Sequence, residues 1–164
     1  MDPLGARSLI PLTEHYIHLN NAGVSPMTER SRAAIERVVD GALNRPYPAG
    51  AAMDEADRVR ELAGRLINGS PDGIALTRST AHGLSLVAQG LDWKRGDNVV
   101  GAEWEYPAHL YPWMALAGDG VEFLQAKVVG GRGLPEALFT LVDMRTRVVA
   151  FSAVELWSGC LVDV

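Results

Sequence analysis

The feature that most constrains this chain is a change of pattern after Gly73, where short apolar runs begin to alternate with helix-like stretches. Strands that alternate with helices of about ten residues are typical of βαβ units, which build a mostly parallel sheet flanked by helices. The pattern therefore predicts an α/β domain. The expected strands are 74–77, 98–102, 121–124 and 148–152, and the expected helices are 80–91, 109–117 and 135–142.

The segments on either side of residue 73 suggest one incomplete domain preceded by an arm. Residues 1–15 are expected to form an irregular N-terminal arm, and 16–72 an entry segment with two helices. Residues 73–164 would hold the βαβ units. Because four strands are fewer than the mean of about five to six per sheet, the domain is predicted to be incomplete.

Two amphipathic helices are predicted in the entry segment, after a weakly alternating run at 16–19 that suggests a short strand. Ser25 followed by Pro26 is a favourable start for the first helix, and Gly69 is a natural end for the second helix, at 52–68. Their apolar stripes are formed by Ile35, Val38, Val39, Ala42 and Leu43, and by Val59, Leu62, Ala63, Leu66 and Ile67.

Composition excludes several classes of protein. The chain has 164 residues, a net charge of -5 and no basic run, so a nucleic-acid partner is not expected. No apolar stretch approaches the roughly 20 residues of a membrane-spanning helix, so no membrane partner is expected either. The N-terminus shows no secretory signal pattern, and the single cysteine, Cys160, suits a reducing compartment, so we expect a cytoplasmic protein.

Two hydroxyl side chains follow the first expected strand. Ser79 and Thr80 stand at the start of a helix, where unpaired backbone N–H groups and the helix dipole favour an anion such as phosphate or carboxylate. The competing interpretation is that either residue only caps the helix.

An aromatic side chain follows the second expected strand. Tyr106 precedes a helix and is placed to lie over a planar ligand. The alternative is that Tyr106 packs with Trp104, Tyr111 and Trp113 in an aromatic cluster.

Weaker candidates have ordinary structural explanations. His82 and His109 are possible acid–base groups but are more often structural, and Cys160 has no activating partner near it in sequence. The spacing of His15 and His18 does not support a metal site, and none is predicted. The glycine-rich run 130–133 is expected to be a surface turn.

In this order, the pieces resemble the class V aminotransferase family, which includes cysteine desulfurases and selenocysteine lyases. The resemblance runs from about Tyr16 to the last residue and implies the N-terminal part of the large domain of a fold-type I pyridoxal-phosphate enzyme. It rests on the segments 16–23, 76–83 and 94–97, on Glu105 and Tyr106 with Trp113 behind them, and on Ser158 and Gly159 followed by Asp163.

The resemblance implies roles for six residues. Ser79 and Thr80 match the phosphate-cradling residues, and Tyr106 matches the side chain that stacks on the pyridine ring. Asn21, Ala22 and Gly23 match the segment on the substrate side of the pocket. Near Glu155 and Leu156 many members carry an Asn or Gln that contacts the cofactor, and this sequence has neither.

The resemblance also implies what this chain lacks. The family's ring-nitrogen aspartate and its Schiff-base lysine lie further along the chain than residue 164, and Asp163 matches a different aspartate. The two lysines, Lys94 and Lys127, do not match the lysine motif. The expected strand 74–77 would pair with a later strand beyond residue 164. The strand near Val149 is expected to lie at a sheet edge.

The implied whole enzyme is a homodimer that acts on an amino acid by transamination, desulfuration, elimination or epimerisation. The 164-residue chain alone is expected to be inactive. Two alternatives remain open: a naturally short, non-catalytic protein that binds a phosphorylated ligand or a partner enzyme, and an unrelated doubly wound domain in which Ser79 and Thr80 are simple caps.

Overall fold

A computed structural model describes residue 5 and residues 7–21, 23–46, 51–127 and 133–162. The chain divides into two compact units, Met1–Ile74 and Ala75–Val164, and each is described separately. Among the described residues, no helix has the length and apolar character needed to cross a membrane.

The first unit is helical. Its α-helices are α1 (Glu29–Asn44) and α2 (Ala51–Leu66), and short 3-10 turns occupy Pro11–Glu14 and Pro71–Gly73. The run 16–19, for which a strand was predicted, is irregular. Isolated short segments do not form strands without a ladder partner.

The ends of α1 and α2 differ from the predicted caps. The prediction that Ser25 begins α1 is wrong, because the Thr28 hydroxyl accepts the Ser31 amide at 3.1 Å and sets the cap there. At the end of α2, Asn68 rather than Gly69 takes the left-handed conformation, with φ 55°. The Gly69 amide then donates to the Gly64 carbonyl at 2.8 Å and closes the helix.

The apolar stripes of α1 and α2 lie largely at the surface. Val38 and Leu43 on α1 are 71% and 76% exposed, and Leu66 on α2 is 86% exposed.

The second unit is an α/β layer structure with a parallel sheet, as predicted. Its strands are β1 (Asn98–Ala102), β2 (Glu122–Ala126) and β3 (Thr146–Ala150), in the order β2-β1-β3. Both neighbours of β1 run parallel to it. The helices are α3 (Thr80–Gly90), α4 (Pro107–Met114) and α5 (Leu134–Leu141), with a 3-10 turn at Ala115–Asp119.

The core lies on both faces of β1, whose residues are all buried. Alternate side chains of a strand point to opposite faces. Val100 accordingly packs with Leu134 and Leu138 of α5, whereas Val99 packs with Ala88 of α3 and Trp113 of α4. The central strand thus holds a helical layer on each side of the sheet.

The predicted strand at 74–77 is wrong: this run is irregular. A strand needs a neighbour for its backbone N–H and C=O groups, and each described strand of the sheet pairs only within the set of three. β3, which contains Val149, lies at an edge of this sheet, as predicted.

Candidate functional site

The carboxyl ends of β1 and β3 meet at one edge of the sheet, because the two strands are parallel neighbours. In open α/β sheets, ligands bind at this edge. Glu105 and Tyr106 follow β1, and Ser152 and Glu155 follow β3. The second unit therefore presents a candidate site here, next to the start of α4.

The start of α3 leaves donors unused. The Ser79 hydroxyl accepts the His82 amide at 3.1 Å, and the Ser79 carbonyl accepts the Gly83 amide at 3.0 Å. The backbone amides of Thr80 and Ala81 and the exposed Thr80 hydroxyl have no hydrogen-bond partner among the described residues. Three donors thus remain for an anion at a helix N-terminus.

Both interpretations of Ser79 and Thr80 have a place in this geometry. Ser79 is the N-cap of α3, which is the structural role considered from the sequence. A serine that accepts a hydrogen bond still has its hydroxyl proton to donate. Thr80 has no capping role, so its exposed hydroxyl is free for a ligand.

Backbone hydrogen bonds hold Tyr106 in place, and its side chain is exposed. Its carbonyl accepts the His109 amide at 2.8 Å and begins α4, which has Pro107 in its first turn. The side chain is 58% exposed. Of the predicted aromatic cluster only Trp113 is buried, at 1% exposure, while Trp104 and Tyr111 are more than half exposed.

The remaining predicted residues lie in the first unit. Asn21 and Gly23 are exposed, and the Gly23 amide donates to the Asn20 side-chain oxygen at 3.1 Å. Ala22 lies outside the described residues. The turn around Gly23 is tight: a Cβ atom there would lie 2.7 Å from Nδ2 of Asn20.

The sequence did not show that the polar residues beside Tyr106 form one buried cluster. Glu105 is 4% exposed and accepts hydrogen bonds from the Ser152 amide and, at 2.6 Å, from the Ser152 hydroxyl. His109 and Glu155 are also buried. The available signal was that polar residues follow two adjacent apolar strands.

Burial shifts the pKa of two members of this cluster. Burial raises the pKa of the Glu155 carboxyl above its ordinary value, and the nearby charge of Glu105 raises it further. Burial lowers the pKa of His109, although the charge of Glu105 acts in the opposite direction. In both groups burial shifts the protonation equilibrium toward the neutral form.

The other candidates have structural partners or lie elsewhere. Nδ1 of His82 accepts the Arg78 amide at 3.3 Å, and Cys160 is half-buried. The described residues hold no group of three or more His, Cys, Asp or Glu side chains suited to a metal ion. Residues 130–132 of the glycine-rich run lie outside the described ranges.

The two lysines occupy different edges of the sheet. Lys94 lies in the turn that leads into β1, where its amide donates to Asp97 at 2.8 Å. Lys127 directly follows β2 and is exposed.

Most of the chain matches a known protein family. The family model described as aminotransferase class-V matches residues 18–164. The chain belongs to the class V aminotransferase family. The resemblance inferred from the sequence is thereby confirmed.

Relatives of this class V aminotransferase chain include cysteine desulfurases. A probable cysteine desulfurase of Methanothermobacter thermautotrophicus is 30% identical over 164 residues, which cover 94% of this chain and 40% of the relative. An uncharacterised protein of Schizosaccharomyces pombe is 33% identical over 163 residues, covering 96% of this chain and 38% of the relative. The chain thus spans about two-fifths of these relatives.

Solved structures show the same fold. The cysteine desulfurase CsdA from Escherichia coli matches with a TM-score of 0.81 at 23% identity, over 99% of this chain and 44% of that one. A C-DES mutant with glycine covalently linked to its pyridoxal-phosphate cofactor matches with a TM-score of 0.81 at 21% identity, over 92% and 41%. This class V aminotransferase chain therefore has part of the fold of those enzymes.

Proposed function

We propose that this chain supplies the phosphate-binding and ring-stacking part of a pyridoxal-phosphate enzyme that acts on an amino acid. The observation that carries the proposal is the start of α3, where the amides of Thr80 and Ala81 and the Thr80 hydroxyl lack partners among the described residues. Family membership, and relatives named cysteine desulfurases, support the choice of cofactor.

The residues present fit the two ends of pyridoxal phosphate. Its phosphate is an anion with several acceptor oxygens, which the unpaired donors of Thr80 and Ala81 and the N-terminal dipole of α3 would stabilise. Tyr106 has a largely exposed ring, which suits stacking on a pyridine ring. When bound, this cofactor supplies an electron sink for bonds at the amino acid's α-carbon.

The lysine that holds the cofactor covalently is proposed to come from the remainder of a longer protein. Lys94 lies at the edge of β1 where the strand begins, away from the carboxyl ends, and Lys127 belongs to no recognised lysine motif. The chain also spans only about two-fifths of its relatives. We therefore expect this chain to bind the cofactor reversibly and to turn over no amino acid.

Three further features of the whole protein are part of this proposal. Asn21, Ala22 and Gly23 would line the substrate side of the pocket, by resemblance to the family. The whole enzyme would be a homodimer, again by resemblance. The single cysteine supports a location in the cytoplasm.

The experiment compares pyridoxal phosphate with pyridoxal, which lacks the phosphate, by equilibrium dialysis against the 164-residue chain. We expect tighter binding of the phosphorylated form. Thr80→Val should lower its affinity by about 10- to 150-fold, since hydrogen bonds to charged groups contribute about 1.5–3 kcal/mol. Pyridoxal is the matched ligand control, because its affinity should not depend on Thr80.

The outcome that contradicts the proposal is equal affinity for the two ligands, or no binding of either. Retained affinity in Thr80→Val would show that the start of α3 does not hold the phosphate. Tyr106→Ala provides an independent arm, because it should weaken both ligands by removing the stacking face.

A further inference from the structure

Glu105 is a buried carboxylate between two exposed aromatic residues. Glu105 is 4% exposed, whereas its neighbours Trp104 and Tyr106 are 55% and 58% exposed. The chain therefore turns Glu105 inward at the point where Tyr106 is turned outward. A buried carboxylate is costly unless it is hydrogen-bonded, so its partners decide what it does.

Both oxygens of Glu105 bind the same residue. One accepts the backbone amide of Ser152 and the other accepts the Ser152 hydroxyl at 2.6 Å. Two hydrogen bonds from one residue fix both the distance and the orientation of a carboxylate. The turn after β1 is thereby tied to the segment after β3.

The contact between Glu105 and Ser152 lies just beyond the last paired residues of β1 and β3. β1 and β3 pair in parallel as far as Gly101 and Ala150, and Glu105 and Ser152 lie beyond these residues. The amide of Ser152 is satisfied by a side chain where the strand ladder no longer supplies a backbone acceptor. Glu105 thus supplies the hydrogen-bond acceptor that the strand ladder lacks at the edge of the sheet next to Tyr106.

Glu105 forms no ion pair with a described residue. His109 is buried and has no hydrogen-bond partner at Nδ1. Glu155 is buried and has no partner at Oε1. Among the described side chains, Ser152 is thus the hydrogen-bond partner of the Glu105 carboxylate.

We propose that Glu105 is a positioning residue for the cofactor ring: by binding Ser152 it fixes the turn that presents Tyr106 at the carboxyl edge of the sheet. This inference rests on the proposed function, because it assigns Tyr106 a ligand. Glu105 itself touches no ligand in this account and acts through the backbone of its neighbour.

The test uses the full 164-residue chain with Glu105→Gln, and with Glu103→Gln as the matched control. Glu103 lies in the same turn, its substitution removes the same charge, and its carboxylate makes no hydrogen bond to any described residue. In Glu105→Gln the Ser152 hydroxyl must reverse its direction and accept from the amide NH2 group, so both hydrogen bonds lose the carboxylate charge and become weaker. Ser152→Ala is a milder variant, since it keeps the backbone donor and loses only the hydroxyl.

The readout is the affinity for pyridoxal phosphate set against the affinity for inorganic phosphate, measured below the unfolding temperature. Glu105→Gln should weaken pyridoxal phosphate about tenfold, which is the upper range of one aromatic stacking contact. Inorganic phosphate, which needs only the start of α3, should bind as in the wild type. Ser152→Ala should show a smaller loss of the same kind, and Glu103→Gln none. In the ligand-free chain, the Ser152 amide should exchange its hydrogen faster in Glu105→Gln.

The outcomes separate this inference from the proposed function. If the wild type binds pyridoxal phosphate and Glu105→Gln binds it equally well, the positioning role is overturned and the proposed function stands. If Glu105→Gln loses affinity for inorganic phosphate to the same extent, Glu105 only supports the fold, and the inference is likewise overturned. If the wild type binds neither ligand, the proposed function fails and this role fails with it.

Discussion

Ser79 and Thr80 are adjacent and both carry a hydroxyl, but the structure predicts that removing the Ser79 hydroxyl lowers stability whereas removing the Thr80 hydroxyl leaves it nearly unchanged. The Ser79 hydroxyl accepts the His82 amide at 3.1 Å and caps α3, whereas the Thr80 hydroxyl has no partner among the described residues. Ser79→Ala removes the cap. Thr80→Val keeps the β-branched shape and removes only an exposed hydroxyl.

The magnitudes follow from these contacts. Replacement of an N-cap serine by alanine costs about 1 kcal/mol of the free energy of unfolding, with a range of about 0.5–2 kcal/mol. A surface change that breaks no contact stays within about 0.5 kcal/mol in either direction. We therefore expect Ser79→Ala to be less stable than Thr80→Val by about 1 kcal/mol.

The assay is urea unfolding followed by tryptophan fluorescence. All four tryptophans lie in residues 75–164, and Trp113 is buried in the core against β1 and α3, so the signal reports on the second unit. Equal losses in the two variants would refute the reasoning, because Thr80 would then be a structural residue like Ser79. A loss in Thr80→Val alone would refute it as well.

Two further predictions concern the sheet and its polar edge. Gly101→Ala should cost about 1–3 kcal/mol of the free energy of unfolding, because its Cβ would lie 2.8 Å from Cε2 of Phe123 and 3.0 Å from the Ala150 carbonyl oxygen. Gly41→Ala, in a helix with open space around it, should instead gain about 0.5–1 kcal/mol, and equal effects in urea and circular-dichroism melts would contradict this contrast. Glu155→Gln should stabilise the protein at pH 7 more than at pH 4: the raised pKa of Glu155 gives stability that is present below its unfolded value of 4.5 and is lost as pH rises through the folded value. Unfolding measured at both pH values checks this, and a pH-independent difference would contradict it.

The fold could be predicted from the sequence in those segments where the local apolar pattern agrees with the pairing of the strands. The apolar runs that became β1, β2 and β3 could be predicted because their alternation with helices does not depend on exact register. The run 74–77 has the same apolar character but forms no strand. Strand formation depends on a neighbour, and a neighbour is not a property of the run itself.

The site was predictable only in part. Thr80 and Tyr106 could be singled out because each stands at a helix start, which sequence shows directly. Glu105 was not assigned a partner, since its contact with Ser152 joins positions far apart in sequence and depends on β1 and β3 being neighbours. Ser79 shows the remaining difficulty: the same hydroxyl suits a cap and a phosphate ligand, and only its contact with the His82 amide shows that it caps.

The proposed function depends on the start of α3 binding the phosphate of the cofactor. Nuclear magnetic resonance of the ¹⁵N-labelled chain observes this contact itself, since the amides of Thr80 and Ala81 are the donors assigned to that phosphate. Titration with pyridoxal phosphate, and with inorganic phosphate, should shift both amide resonances, whereas pyridoxal should leave them unchanged. Amides that stay unshifted while pyridoxal phosphate binds, or that shift equally with pyridoxal, would contradict the account.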